Sequence, residues 1–177
     1  MNTPFASATD VPMPVSQRPR SAPLAPFIAA LLSLFATVGC KAQPATLIEL
    51  DAFPKAKLEI HSGTTTHRFD IWIAETSAQQ TQGLMFVRDL AESRGMLFIA
   101  EQPRVFNMWM KNTYVPLDMV FIGADGRIAK ISANATPHSL DVISSGVVVG
   151  AILELKGGEA ARRALHKGDK VTWQAAH

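Results

Sequence analysis

An alternation of apolar and polar residues is the feature that most constrains the fold of this chain. It is clearest in HRFDIWIA at His67–Ala74, and a shorter version occurs at Leu58–His61. A two-residue period places successive side chains on opposite faces of a strand, so both segments predict half-buried β-strands. Gly63 and three threonines lie between them, which predicts a hairpin.

Further strands are predicted along the rest of the chain, at Leu47–Leu50, Met96–Ala100, Val105–Met110, Leu117–Ile122, Arg127–Ser132, Val147–Leu155 and Val171–Gln174. Ala124-Asp125-Gly126 predicts the turn between two of them. One short helix is predicted from an N-cap at Thr76 or Ser77 to about Met85, and another at Glu159–His166, closed by Gly168. Strands and helices do not alternate regularly, so we predict a mainly β fold: a single small sandwich or barrel-like domain with one or two short helices.

An N-terminal segment precedes this domain. Arg18 and Arg20 come before the apolar run Leu24–Val38, and Gly39-Cys40 follows it. This is the layout of a signal peptide, and the run is shorter than the roughly 20 residues of a membrane-spanning helix. We predict a signal peptide at 1–40, a tether at 41–54 and a mostly β domain at 55–177. The initiator is either Met1 or Met13.

Cys40 is the only cysteine of the chain, so it cannot form an internal disulfide. Thr37-Val38-Gly39-Cys40 resembles a bacterial lipobox, although Thr37 stands where that pattern usually has an aliphatic residue. We therefore predict lipidation of Cys40, with the domain on the periplasmic side of a bacterial membrane and anchored through its N-terminal lipid. The alternative is ordinary cleavage nearby, for instance after Ala42, with Cys40 discarded.

Charge and motifs exclude several classes of function. From Lys41 onward, 15 Lys and Arg face 14 Asp and Glu without a basic stripe, which argues against a nucleic-acid binder. The five histidines have no metal-ligand spacing, and there is no cysteine pair, so no zinc site is expected. A nucleophile elbow, a P-loop and a dinucleotide fingerprint are also missing, and no cofactor is predicted.

Five blocks of the sequence resemble one known family. They are GLMFVRDL at 83–90, RGMLFI at 94–99, MWMKNTYVPLDMVFI at 108–122, ILELKGG at 152–158 and GDKV at 168–171. Together they cover nearly all of Leu58–Trp173 and are similar to domain of unknown function 192. The resemblance implies a compact, mainly β domain, often exported or membrane-tethered, without an established enzymatic activity. The matching positions are Gly83, Met85, Arg88, Gly95, Met96, Trp109, Met110, Lys111, Asn112, Thr113, Pro116, Asp118 and Glu154, whereas Met108 replaces a common aromatic residue.

The candidate site centres on the short connection between Lys111 and Asp118. Strand alternation places Asp118 partly inside, where a carboxylate needs hydrogen-bond donors, and Asn112 and Thr113 are candidate sources. Asp118 either ties down the turn or belongs to a polar binding site. Trp109 either lines a pocket or packs in the core, and Arg88 pairs with Asp118, with Glu154 or with an anionic ligand. The candidate ligand or partner residues are therefore Arg88, Trp109, Lys111, Asn112 and Asp118, and no catalytic residue is assigned.

Two alternatives use the same region. Met108 and Met110 share one strand face, and thioethers, completed by Met85, Met96 and His138, are able to hold Cu(I), although methionine is also a common core filler. Asp118 with His138 is a conceivable hydrolase pair. Our prediction is a non-catalytic module of the cell envelope that binds an unknown envelope protein or small ligand. A periplasmic hydrolase-like enzyme or a copper-handling protein is the alternative.

Overall fold

The structure is a computed structural model that describes residues 47–175. After a 3-10 turn at Leu50–Ala52, its elements are β1 (Lys55–Ser62), β2 (Thr65–Ala74), α1 (Ser77–Gln82), β3 (Arg94–Arg104), β4 (Asn107–Met108), β5 (Leu117–Ile122), β6 (Ile128–Ala135), β7 (Ile143–Ser144), β8 (Val149–Lys156), α2 (Glu159–Arg162) and β9 (Lys170–Ala175). Within this range, none of the helices has the length and apolar character that crossing a membrane requires. The predicted signal peptide and Cys40 lie outside the described residues, and the domain boundaries stay predictions.

Seven strands form one mixed sheet in the order β6-β5-β8-β3-β2-β1-β9. Only the β2–β3 pair is parallel, with α1 in the connection between the two strands. The sheet curls until its two edge strands meet at a single bridge between Arg127 and Lys170, beside which the Val171 amide donates to the Gly126 carbonyl at 2.8 Å. The edges therefore touch at one end without closing a barrel.

Each face of the sheet carries its own apolar cluster, because side chains alternate along each strand. Trp72 and Ala74 lie in one cluster, while Ile71 and Ile73 lie in the other. The ribbon formed by β4 and β7 covers the first face, which we call the ribbon face, through Phe106, Met108, Met110 and Ile143. Ala160 and Leu165 cover the second face, which we call the α2 face. Burial of each large apolar side chain stabilises the fold by about 1.5–3 kcal/mol.

The mainly β class with two short helices is confirmed, and so are the hairpin of β1 with β2 and the turn at Ala124–Gly126. The expected sandwich or barrel-like domain is in detail one curled mixed sheet with a small two-stranded ribbon, whose edges touch without closing a barrel. Strand periodicity identifies buried positions, but it does not reveal that β2 and β3 pair in parallel. The parallel pairing of β2 with β3 joins the strands into one seven-stranded sheet instead of two large stacked sheets.

Several boundaries also differ from the predictions. Leu47–Leu50 is not a strand, because Ile48 pairs through its backbone with the Gln82 side chain. Of the strand predicted at Val105–Met110, only the two residues of β4 are in strand conformation, because β4 pairs only with the two residues of β7. The first helix ends at Gln82 because Gly83 turns the chain at φ +50°, and the second ends at Arg162, well before Gly168.

Candidate functional site

Asp118 on β5 is fully buried and held by backbone donors. Its Oδ1 accepts hydrogen bonds from the amides of Asn134 at 2.8 Å and Gly158 at 3.0 Å. Its Oδ2 accepts a third from the amide of Ala160 at 2.8 Å. These donors, rather than Asn112, meet the need of the buried carboxylate. Asp118 thereby joins β6 and the start of α2 to β5, and its contacts are accounted for without a ligand.

The Lys111-Asn112 turn packs against the segment that follows α1. Asn112 has a φ of +56°, its carbonyl accepts from the Phe86 amide at 2.8 Å, and its Nδ2 lies 3.9 Å from the Met85 sulfur. Lys111 remains exposed, with its ammonium 5.6 Å from the centroid of the Trp109 ring. Asn112 therefore shapes the turn, while Lys111 and Trp109 form a cation–π pair at the surface.

Trp109 is 52% exposed, so the alternative that it packs in the core is wrong. It stands at the edge of a groove of about 330 Å³ between α1 and the ribbon. Polar side chains line this groove from both sides: Ser77, Gln80 and Thr81 from α1, and Arg104 and Asn107 from the opposite wall. Sequence patterns did not point to these five residues, because their meeting depends on how α1 packs beside the ribbon.

Arg88 does not form the predicted ion pair with Asp118 or Glu154. Its guanidinium instead lies 4.3 Å from the centroid of the Tyr114 ring, which also meets His138 edge-on at 4.7 Å. Phe86 flanks the same ring at 6.4 Å. The five predicted residues thus fall into four places: the groove edge (Trp109, with Lys111 stacked on its ring), the packed turn (Asn112), this aromatic cluster (Arg88) and the interior (Asp118).

Glu154 on β8 is a buried carboxyl group that the residue patterns did not single out. Its register partners are Met96 on β3 and Met119 on β5, both fully buried. Its Oε2 has no hydrogen-bond partner among the described residues, and burial raises its pKa from 4.5 to about 8. The side chain is therefore mostly protonated at neutral pH. In the sequence it was named only as a match to the family pattern and as a candidate partner of Arg88.

Three of the four methionines of the copper alternative occupy packing positions. Met96 and Met110 are fully buried in the cluster on the ribbon face, and Met108 packs against that cluster. Between residues 47 and 175, no three His, Cys, Asp or Glu side chains lie together as a metal site would require. The contacts of these methionines are those of core side chains.

Comparison with known families settles the relationship of the chain. The sequence pattern of DUF192, described as an uncharacterized ACR, matches residues 58–173, which is more than half of the 177 residues. The chain belongs to the DUF192 family. The resemblance inferred from the five sequence blocks is thus confirmed, whereas no curated protein matches this DUF192 chain.

Two solved structures share the DUF192 fold with this chain. One is a protein of Sinorhizobium meliloti 1021, described as a proposed transcription regulator, with 39% identity and a TM-score of 0.67 over 68% of this chain and 95% of that one. The other is a protein of unknown function from Novosphingobium aromaticivorans DSM 12444, with 35% identity and a TM-score of 0.69 over 75% of this chain and 94% of that one. Both matched chains consist almost entirely of this domain, so in those two proteins it folds without a further domain.

Proposed function

We propose that this DUF192 protein is an exported, lipid-tethered, non-catalytic binding module of the cell envelope, with its ligand site in the groove beside Trp109. The observation that carries the proposal is the half-exposed indole at the edge of a groove lined by hydrogen-bonding side chains. Concave sites that combine an aromatic surface with a few polar groups are typical of ligand binding. The signal-like segment and the lipobox-like Cys40 support the envelope location.

The groove suits a small polar ligand that also has a flat apolar face. Such a face would stack on Trp109, while the Asn107 amide and the Arg104 guanidinium offer donors. Gln80 is held in place because its Nε2 donates to the carbonyls of Ala74 at 3.2 Å and Ile99 at 3.1 Å. A fixed side chain loses little conformational entropy when a ligand binds, which favours affinity.

A binding role is favoured over catalysis by the state of the candidate hydrolase pair. Asp118 is fully buried and accepts three backbone hydrogen bonds, so its carboxylate does not reach a substrate at the surface. His138 packs its ring against Tyr114. A general base must come within hydrogen-bond reach of the proton that it removes, and neither side chain is placed at the groove.

The description of the Sinorhizobium protein as a transcription regulator is not carried over to this chain. Several cations on the described surface are paired with carboxylates, as in the ion pairs Lys57–Asp70, Arg68–Glu59 and Lys55–Asp51. Proteins that bind the DNA backbone concentrate unpaired cations on one face instead. At these positions the cations are therefore engaged with carboxylates and do not form a DNA-binding face.

Replacement of Trp109 by Ala is expected to abolish ligand capture while leaving the fold intact. A photo-crosslinking amino acid placed at Asn107 in cells that express the full chain should give an adduct, and the same group at Lys167, an exposed residue before β9, should not. Trp109→Ala should remove the Asn107 adduct and change the free energy of unfolding by less than about 1 kcal/mol, because the ring is half exposed. An adduct that survives in Trp109→Ala contradicts the proposed site.

Replacement of Cys40 by Ser tests the tether. Cells fed a clickable fatty acid should label the wild-type chain and leave Cys40→Ser unlabelled, because the thiol is the predicted acceptor of the lipid. The wild-type chain should also sediment with membranes in a lipid-dependent manner. Equal labelling of the two chains would overturn the lipoprotein assignment.

A further inference from the structure

Exposed apolar side chains are concentrated on one side of the domain. Within residues 47–175 the large exposed hydrophobic residues are Leu47, Phe86, Val105, Trp109, Tyr114, Leu140, Val142, Val147 and Val148. Each has a chain neighbour, at most three residues away, that packs in or against the ribbon-face cluster; examples are Ile48 beside Leu47, Phe106 beside Val105, and Val149 beside Val148. The exposed hydrophobic residues therefore all belong to segments that cover the ribbon face.

The ribbon explains why so many of them point outward together. Met108 and Ile143 are register partners that face the core, so the next residues, Trp109 and Val142, face away from it. Val105, Trp109, Leu140, Val142, Val147 and Val148 are between 48% and 67% exposed. Hydrophobic residues grouped in this way, rather than scattered singly, are typical of an interaction surface.

Cationic groups accompany the aromatic rings on this side. The guanidinium of Arg88 lies 4.3 Å from the ring centroid of Tyr114, that of Arg104 lies 4.2 Å from that of Phe106, and the Lys111 ammonium lies over Trp109. Acidic residues also occur in these segments, among them Asp141, whose carboxylate accepts a hydrogen bond from Ser139 at 3.0 Å. Trp and Tyr with adjacent Lys and Arg are the residues enriched where proteins meet the headgroups of a bilayer.

The described chain also begins on this side. Ile48 is held to Gln82 by two hydrogen bonds of 2.7 Å, and Gln82 directly follows Thr81, which lines the groove with Trp109. Cys40 precedes Leu47 by seven residues. Seven residues span at most about 25 Å when fully extended. A lipid on Cys40 would therefore hold the domain close to the membrane.

We infer that the outer surface of the segments covering the ribbon face is a membrane-contact surface, on which the tethered domain lies against a phospholipid bilayer with Trp109 at the boundary between lipid and water. This inference rests on the proposed tether and deepens it. The groove then opens at the membrane surface, so that its ligand is reached from the headgroup layer. Anionic phospholipid headgroups complement the cations that stack on the aromatic rings.

The test uses residues 41–177 with an N-terminal histidine tag, captured on vesicles of phosphatidylethanolamine and phosphatidylglycerol that contain a nickel-chelating lipid. The tag replaces the lipid anchor, so the experiment does not depend on Cys40. Acyl chains brominated near the headgroup quench only nearby indoles. The chain has three tryptophans, which allows Trp109→Phe and Trp173→Phe to serve as a matched pair. We expect quenching in the wild type and in Trp173→Phe, and loss of most of it in Trp109→Phe.

Substitution of Leu140 and Val142 by Ser is expected to weaken the contact between the domain and the vesicle while leaving the Trp109 indole unchanged. Without nickel lipid, binding of the untagged domain to the same vesicles should fall about tenfold in the double variant, as expected when two partly exposed aliphatic side chains are lost.

Equal quenching in Trp109→Phe, or no quenching in the wild type, overturns the inference. So does a stable dimer that shields Trp109, because a second copy would then be the occupant. If Trp109 is not quenched but Cys40 is labelled by the fatty acid, the membrane-contact surface is wrong and the lipid tether still holds. If Cys40 is not labelled but Trp109 is quenched, only the lipid tether is wrong.

Discussion

Replacement of Asp118 by Asn is expected to lower the free energy of unfolding of the domain by about 2–4 kcal/mol. The carboxylate accepts backbone hydrogen bonds from Asn134, Gly158 and Ala160 and has no exposed surface. An amide keeps one acceptor oxygen and turns its NH₂ group toward at least one backbone N–H, so two donors face each other in the interior. A buried donor without an acceptor loses its water and gains nothing in return.

Urea unfolding of residues 41–177 measures this effect, and Asp89→Asn is the matched control. Asp89 is exposed in the loop before β3, so its substitution should change the free energy of unfolding by no more than about 0.5 kcal/mol. The large loss in Asp118→Asn would show that the carboxylate joins β5, β6 and α2. A loss as small as that of the control would instead return Asp118 to the candidate ligand residues.

The stability of the wild-type domain is expected to fall as the pH rises from about 4.5 to about 8, because of Glu154. Burial raises the pKa of this carboxyl from 4.5 to about 8, so in this range the folded protein binds a proton that the unfolded chain releases. The stability contributed by the protonated carboxyl is fully present below pH 4.5. It is lost as the pH rises through the pKa of Glu154 in the folded protein, about 8. The size of the loss is at most about 5 kcal/mol.

Glu154→Gln isolates this contribution, since glutamine keeps the volume of the side chain and carries no charge at any pH. The variant should resemble the wild type within about 1–2 kcal/mol at pH 5 and exceed it at pH 9, where the wild-type carboxylate is ionised without a partner. Glu101→Gln, at an exposed position on β3, should show no such pH-dependent difference. Parallel stability curves for Glu154→Gln and the wild type between pH 5 and pH 9 would disprove the raised pKa.

The sequence alone identified those features that depend on residues close together along the chain. The two-residue period of His67–Ala74 lies within β2, and the predicted Leu117–Ile122 coincides with β5, because alternation reflects the geometry of the extended chain itself. The turn at Ala124–Gly126 followed from glycine, which reaches a φ of +73° at little cost. The five sequence blocks were likewise sufficient to recognise the DUF192 family.

The tertiary structure alone decided the roles of the candidate residues. The donors to Asp118 lie 16, 40 and 42 residues further along the chain, so no local pattern could name them. Trp109 is exposed because Met108 takes the inward position opposite Ile143, a pairing that depends on β7 reaching β4. Local sequence governs backbone conformation and which residues alternate, but burial, hydrogen-bond partners and surface patches depend on which distant strands become neighbours. For this protein, the fold class therefore came from the sequence, and the groove, the ribbon face and the isolation of Glu154 came from the packing.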